Sequence, residues 1–205
     1  MLQFLTQGRP QDEVQMPVGD DGPQTLHQGR VGRGFQMASG GSVGQPGNPF
    51  PASTVKLQAP FFRAAGLDLA AEVPGLVWGT INVELGYGLR RAAPDITVTD
   101  VDWTAGLTGS GRIAPETFSF VRCRLTYAGR DYPGLIYLPH PETKPSTNAH
   151  RYDVLEVLTC RIEGLVDGQP VAVLCRADAF EPMSRNGREV GASLCYRGRR
   201  KRPAP

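Results

Sequence analysis

Turn-forming residues punctuate this sequence from end to end: 25 glycines and 18 prolines are spread over 205 residues. That spacing leaves little room for long helices and favours short strands joined by tight turns. The clearest strand is Gly79-Thr80-Ile81-Asn82-Val83-Glu84-Leu85. Ile81, Val83 and Leu85 fall on one face and Thr80, Asn82 and Glu84 on the other, the pattern of a half-buried strand.

Residues 1–26 are polar and turn-rich, and read as an N-terminal tail. A first strand is predicted over Thr25–Val31, followed by the glycine-rich run Gly32-Arg33-Gly34-Phe35-Gln36-Met37-Ala38-Ser39. The one clear helix follows Ala52-Ser53-Thr54 and extends toward Leu69. Ser53 or Thr54 is the expected cap, Pro60 suits a first turn, and Gly66 is a stop. Leu57, Phe61, Phe62 and Ala65 form its apolar stripe.

Beyond Leu85, strands are predicted over Ile96–Trp103, Thr117–Tyr127, Tyr132–Leu138, Tyr152–Thr159 and Val171–Arg176. Ala128-Gly129 makes the second and third of these a hairpin. About seven strands with one helix predict a mainly β, closed barrel. After Phe180 the chain turns polar, so one barrel domain is expected over 27–180, with a basic tail over 181–205 that ends in Arg197, Arg199, Arg200, Lys201 and Arg202.

A net charge of +2 is too small to name a partner. The basic terminus reads as a solvated tail, with nucleic-acid contact as its other reading. The first residues lack a basic n-region and a long apolar core, so no secretory signal is expected. No apolar run approaches the roughly 18 residues of a membrane span. Cys123, Cys160, Cys175 and Cys195 form no C-x-x-C pair and read as free thiols in a reducing cytoplasm.

Several residues carry candidate chemistry. Thr80 and Asn82, two residues apart on one strand face, offer neutral oxygens that can share a hard cation such as Mg²⁺. The Gly32–Ser39 loop exposes backbone N–H groups that can cradle phosphate, with Arg33 adding a cation. Glu156 stands among Val154, Leu155, Val157 and Leu158. A carboxylate there needs a partner, either a structural one or a ligand. His150 reads as a surface residue and Asp153 as a strand-edge residue. The chain contains no Walker A loop, H-E-x-x-H or Ser/His/Asp signature.

Gly79–Leu85 resembles the G-T-[LI]-N-[VL]-x-L signature of the archaeal-type, CTP-dependent riboflavin kinases. Asn148-Ala149-His150-Arg151-Tyr152-Asp153-Val154-Leu155-Glu156-Val157-Leu158 is similar to that family's T-x-H/Y-x-x-x-[IV]-[IL]-E-[IV]-[IL] segment, and Leu165-Val166-Asp167-Gly168-Gln169 to its L-x-D-G-D turn. The similarity covers roughly residues 28–176, in the family's order. It implies a six-stranded cradle-loop barrel with one main helix covering an opening, and a transferase that makes FMN from riboflavin and a nucleoside triphosphate, CTP in the family. It also implies residue roles. Thr80 and Asn82 would hold Mg²⁺, and Asn148 and Glu156 would contact the flavin. Gly32, Arg33, Gly34, Phe35, Gln36, Ala38 and Ser39 would bind the nucleotide. In the family a longer segment with an L-R element follows the apolar strand and helps bind the cytidine nucleotide, a role the resemblance passes here to Arg161. The short Cys160–Gly164 segment points to the alternative function, a flavin- or nucleotide-binding barrel without transfer activity.

Overall fold

The computed structural model describes residues 22–34, 36–46, 48–107, 111–143 and 151–183. Among them are nine strands and two helices: β1 (Gln24–Gly32), α1 (Thr54–Ala64), α2 (Leu69–Glu72), β2 (Ile81–Leu85), β3 (Gly88–Arg91), β4 (Ile96–Val101), β5 (Glu116–Tyr127), β6 (Arg130–Pro139), β7 (Val154–Thr159), β8 (Pro170–Arg176) and β9 (Phe180–Met183). The basic C-terminal run, Cys195, Phe35, Asn148 and His150 lie outside the described residues.

Six strands close an antiparallel barrel in the order β5-β6-β7-β2-β1-β8, with β8 returning to β5. The fold is therefore mainly β with one main helix, as the turn-rich pattern predicts. β5 makes closure possible by its length. Its first residues pair with β4, its last with β8, and β6 follows it from Phe118 to Tyr127. β4 is an extra strand outside the ring, bulged between Val98 and Val101. β3 and β9 form a separate two-stranded ladder. Pairing thus starts at Gln24 and runs to Met183, a few residues beyond the expected domain limits on each side.

Strand alternation divides the apolar residues between two cores. Val83, Val121, Ile136, Val157 and Val173 belong to the first, which is built from the barrel strands. Phe118, Phe120, Tyr137 and Leu158 lie on the opposite faces of β5, β6 and β7 and form the second, with α1 and β4. β7 feeds both cores, Leu155 and Val157 the first and Leu158 the second, with Glu156 on the face of Leu158.

The helix departs from its sequence reading in two respects. It begins at Thr54, capped by Ser53, whose Oγ accepts the Lys56 N–H at 3.1 Å. Pro60 therefore lies inside the helix instead of in its first turn, where its missing N–H leaves the Lys56 carbonyl without the usual helical donor. The buried stripe is Val55, Gln58 and Phe62, while Phe61 is 38% exposed. The end of the helix falls at the expected Gly66 stop. The helix stops at Ala64 and does not continue toward Leu69, because Gly66 takes φ +93° and the Leu67 and Gly66 N–H groups bond back to Phe62 and Arg63, a Schellman closure.

The β5–β6 hairpin turns on Ala128 (φ 50°) and Gly129 (φ 77°), the conformation of a two-residue type I′ turn. A left-handed φ costs a non-glycine residue about 1–2 kcal/mol. Ala128→Gly is therefore expected to raise the melting temperature slightly, partly offset by the greater freedom of the unfolded chain. Parallel thermal melts check this, and a clear fall in melting temperature would contradict it.

Candidate functional site

A cavity of about 750 Å³ opens between β2, β6 and β7 on one side and the 32–39 loop with α1 on the other. Its volume falls in the range of small-molecule sites. It collects segments far apart in the chain: Gly32, Arg33, Gly34, Gln36, Ala38 and Ser39 from the loop, Thr80 and Asn82 from the signature strand, and Glu156 from β7.

Strand register brings the polar trio together. Asn82 pairs with Glu156 across β2 and β7, and Glu156 pairs with Tyr137 across β7 and β6. Thr80 Oγ1 lies 3.4 Å from both Asn82 Oδ1 and Glu156 Oε2, so its hydroxyl can donate to either. A hydroxyl, a carboxamide and one carboxylate converge there. Among the described residues no three His, Cys, Asp or Glu side chains gather as a metal site. An oxygen-only set with a single charge instead suits a hard cation that keeps most of its waters.

The glycine-rich loop is pressed onto this strand. A Cβ on Gly34 would stand 2.5 Å from Asn82 Nδ2, and one on Gly79 would stand 2.7 Å from Ser39 Cβ. Real Cβ contacts are not that close: at Gly79 the Ser39 backbone, 2.9 Å away at its Cα, cannot yield, so glycine is required there, whereas at Gly34 the end of the Asn82 side chain would have to turn away. Ser53 fastens the arrangement. Besides capping α1, its hydroxyl lies within hydrogen-bond reach of the Ala38 and Trp78 carbonyls. The start of the helix, the loop and the approach to β2 are thus held by one side chain.

Among the described residues two arginines line the cavity, Arg33 and Arg151. Arg151 donates to Glu84 at 2.8 Å and makes a two-point contact with Asp153. These hydrogen bonds hold the Arg151 guanidinium firmly charged and keep the Asp153 carboxyl below its usual range. Asp153 therefore positions Arg151 at the strand edge. The 165–169 turn supplies Leu165, Val166 and Asp167 to the rim, and is tied to the end of β1 by the Gly168 N–H bonding to the Val31 carbonyl at 2.7 Å.

The structure adds residues that the sequence reading assigned no binding role. Trp103, Glu116, Phe118, Tyr137 and Gln58 line the same cavity at its apolar part. The Trp103 indole N–H donates to Glu116 Oε2 at 2.7 Å, and the Tyr137 hydroxyl donates to Gln58 Oε1 at 2.8 Å. Burial pushes the Tyr137 phenol well up, and the nearby charges of Glu156 and Glu116 push it further. It stays protonated and acts as a fixed donor. Arg161, by contrast, is exposed and does not line the cavity.

A second constellation has the order of a Ser-His-acid triad without its use. Ser119 Oγ is 2.8 Å from His140 Nε2, and His140 Nδ1 is 3.2 Å from Glu142 Oε1. Ser119 is fully buried and its hydroxyl also meets Thr97 Oγ1 at 2.8 Å, so no substrate reaches it. The chain of contacts joins β4, β5 and the end of β6.

His140 and His27 are both buried, and desolvation lowers their pKa values. His27 Nδ1 is 2.8 Å from the Tyr87 hydroxyl, with its ring edge-on to Phe180. The folded chain thus takes up protons at these rings less readily than the unfolded chain does. Their contribution to stability is full above the unfolded value of about 6.5 and is lost as pH falls through the lower folded values. The melting temperature should drop steadily from pH 7 to pH 5.5, and a flat profile would contradict this.

No protein-family model matches the chain, and no curated protein matches it.

Proposed function

We propose that the chain is a riboflavin kinase-like phosphotransferase, moving the γ-phosphoryl group of a nucleoside triphosphate to the primary hydroxyl of riboflavin to give FMN. The observation that carries this reading is the convergence on one cavity of the Gly32–Ser39 loop, Thr80, Asn82 and Glu156, the residues to which the resemblance assigns phosphate, metal and flavin contacts. CTP is the donor suggested by that resemblance.

In this reading the backbone N–H groups of the 32–39 loop, with Arg33, hold the donor phosphates. Thr80 Oγ1 and Asn82 Oδ1 would hold Mg²⁺. When bound, the ion neutralises charge on the phosphates. Glu156 accepts a hydrogen bond from the acceptor hydroxyl and points its oxygen at the γ-phosphorus. The new O–P bond forms as the bond to the nucleoside diphosphate breaks, and the hydroxyl proton leaves to solvent. Holding the two reactants in line supplies much of the rate. The free thiols among the described residues suit a reducing cytoplasm.

The exposure of Arg161 outside the cavity favours a second reading, a barrel that binds flavin or nucleotide without transfer. Incubating the protein with riboflavin, Mg²⁺ and each of the four nucleoside triphosphates separates the two. FMN formation with any donor supports the kinase, whereas flavin fluorescence quenching with no FMN supports the binding barrel.

A further inference from the structure

The polar face of β2 runs on past Thr80 and Asn82. Glu84 follows Asn82 by two residues on the same face, about 7 Å along the strand. The glycine-rich loop lies across both side chains. A Cβ on Gly34 would stand 2.5 Å from Asn82 Nδ2, and one on Gly32 would stand 2.7 Å from Glu84 Oε1. The Glu84 carboxylate is thus placed at the first residue of the 32–39 loop. It holds a cation there, because Arg151 Nη1 donates to Glu84 Oε1 at 2.8 Å.

The remaining contacts of Arg151 fix its direction. Its Nε and Nη2 donate to the two Asp153 carboxylate oxygens at 3.1 and 2.9 Å. Among the described residues three of its five N–H groups are engaged, which leaves one on Nη1 and one on Nη2. Arg151 lines the cavity, whereas Glu84 and Asp153 do not. The cavity therefore meets the cation of this network and not its carboxylates. Stability does not account for the arrangement. All three side chains are half-exposed, and ion pairs so exposed add little to a fold.

Resting on the phosphotransferase reading, we propose that Arg151 is a donor-binding residue. Its two remaining N–H groups bind the phosphates that the Gly32–Ser39 backbone cradles, and Glu84 and Asp153 are its positioning residues. A guanidinium makes short, charge-assisted hydrogen bonds to phosphate oxygens, about twice as strong as neutral ones. One that is already oriented loses less freedom in forming them.

The test is a calorimetric titration of the full chain with Mg²⁺ and each of the four nucleoside triphosphates, beside riboflavin quenching and a thermal melt. For any triphosphate that the wild type binds, Arg151→Gln is expected to weaken binding about tenfold or more. Riboflavin quenching and melting temperature should stay nearly unchanged. Arg151→Lys keeps the charge but loses the planar fork, and should fall between the two. Undiminished triphosphate affinity in a folded Arg151→Gln protein overturns the inference and leaves the phosphotransferase reading in place. Joint loss of triphosphate and riboflavin binding with a clear fall in melting temperature would mark a structural role, and also overturns it. Wild-type protein that binds none of the four triphosphates overturns the phosphotransferase reading and this inference with it.

Discussion

Asn82→Leu is expected to reduce FMN formation about 10²-fold or more, the scale of charge stabilisation supplied by a bound metal. Leucine removes the carboxamide oxygen at similar volume, and position 82 lies on the polar face of β2, away from Val83 and Leu85 in the barrel core. The barrel should therefore survive. Thr80→Val, nearly isosteric, should behave alike, because Thr80 Oγ1 sits 3.4 Å from both Asn82 Oδ1 and Glu156 Oε2. Quenching by riboflavin without nucleotide should change little in either variant. FMN formation, quenching and a thermal melt are to be measured together. Full activity with unchanged melting in both variants would show that these residues hold no metal.

Phe62→Ala is expected to be the most destabilising single truncation in the second core. The ring is completely buried and meets Phe118 and Phe120 edge-on at 5.2 and 5.1 Å. Its loss leaves a cavity between α1 and β5, at a cost of about 3–5 kcal/mol. For a domain of this size the melting temperature should fall by about 10 °C. Phe61→Ala, one residue earlier but 38% exposed, should cost well under half as much. Equal losses from the two variants would contradict the packing described here.

The contrast between these two phenylalanines shows where sequence reading reaches its limit. In a helix, adjacent residues point about 100° apart, and both Leu57-Phe61 and Val55-Phe62 fit an apolar stripe. Which stripe is buried depends on where Phe118 and Phe120 stand, and that is fixed by pairing more than fifty residues away. Either candidate cap, Ser53 or Thr54, puts Pro60 beyond the first turn, so its interior position was already implied by the caps. Features governed by local chemistry were legible: the alternation of Gly79–Leu85, the Ala128-Gly129 turn and the stop at Gly66. The polar side of the site was legible for the same reason, since Thr80 and Asn82 lie on one strand and the phosphate-loop candidates are contiguous.

The aromatic side was not. Trp103 meets Glu116 only because β4 bulges and lies beside β5, and Gln58 meets Tyr137 only once α1 docks on the barrel. Two signals were nevertheless present. Gln58 is polar within a stripe that is otherwise apolar, and Glu116 stands two residues before Phe118 on the same strand face. Arg151 was inside the stretch singled out around Glu156, but its role depends on Glu84 and Asp153 folding against it.

The most direct measurement of the central claim is a crystal structure of the protein with riboflavin, Mg²⁺ and a hydrolysis-resistant nucleoside triphosphate. The account predicts phosphates against the backbone of residues 32–39, a metal bonded to Thr80 Oγ1 and Asn82 Oδ1, and the riboflavin hydroxyl at Glu156. Ligands bound instead in the open groove lined by Gln28, Glu84, Thr126 and Ala172, with this cavity holding only water, would contradict it.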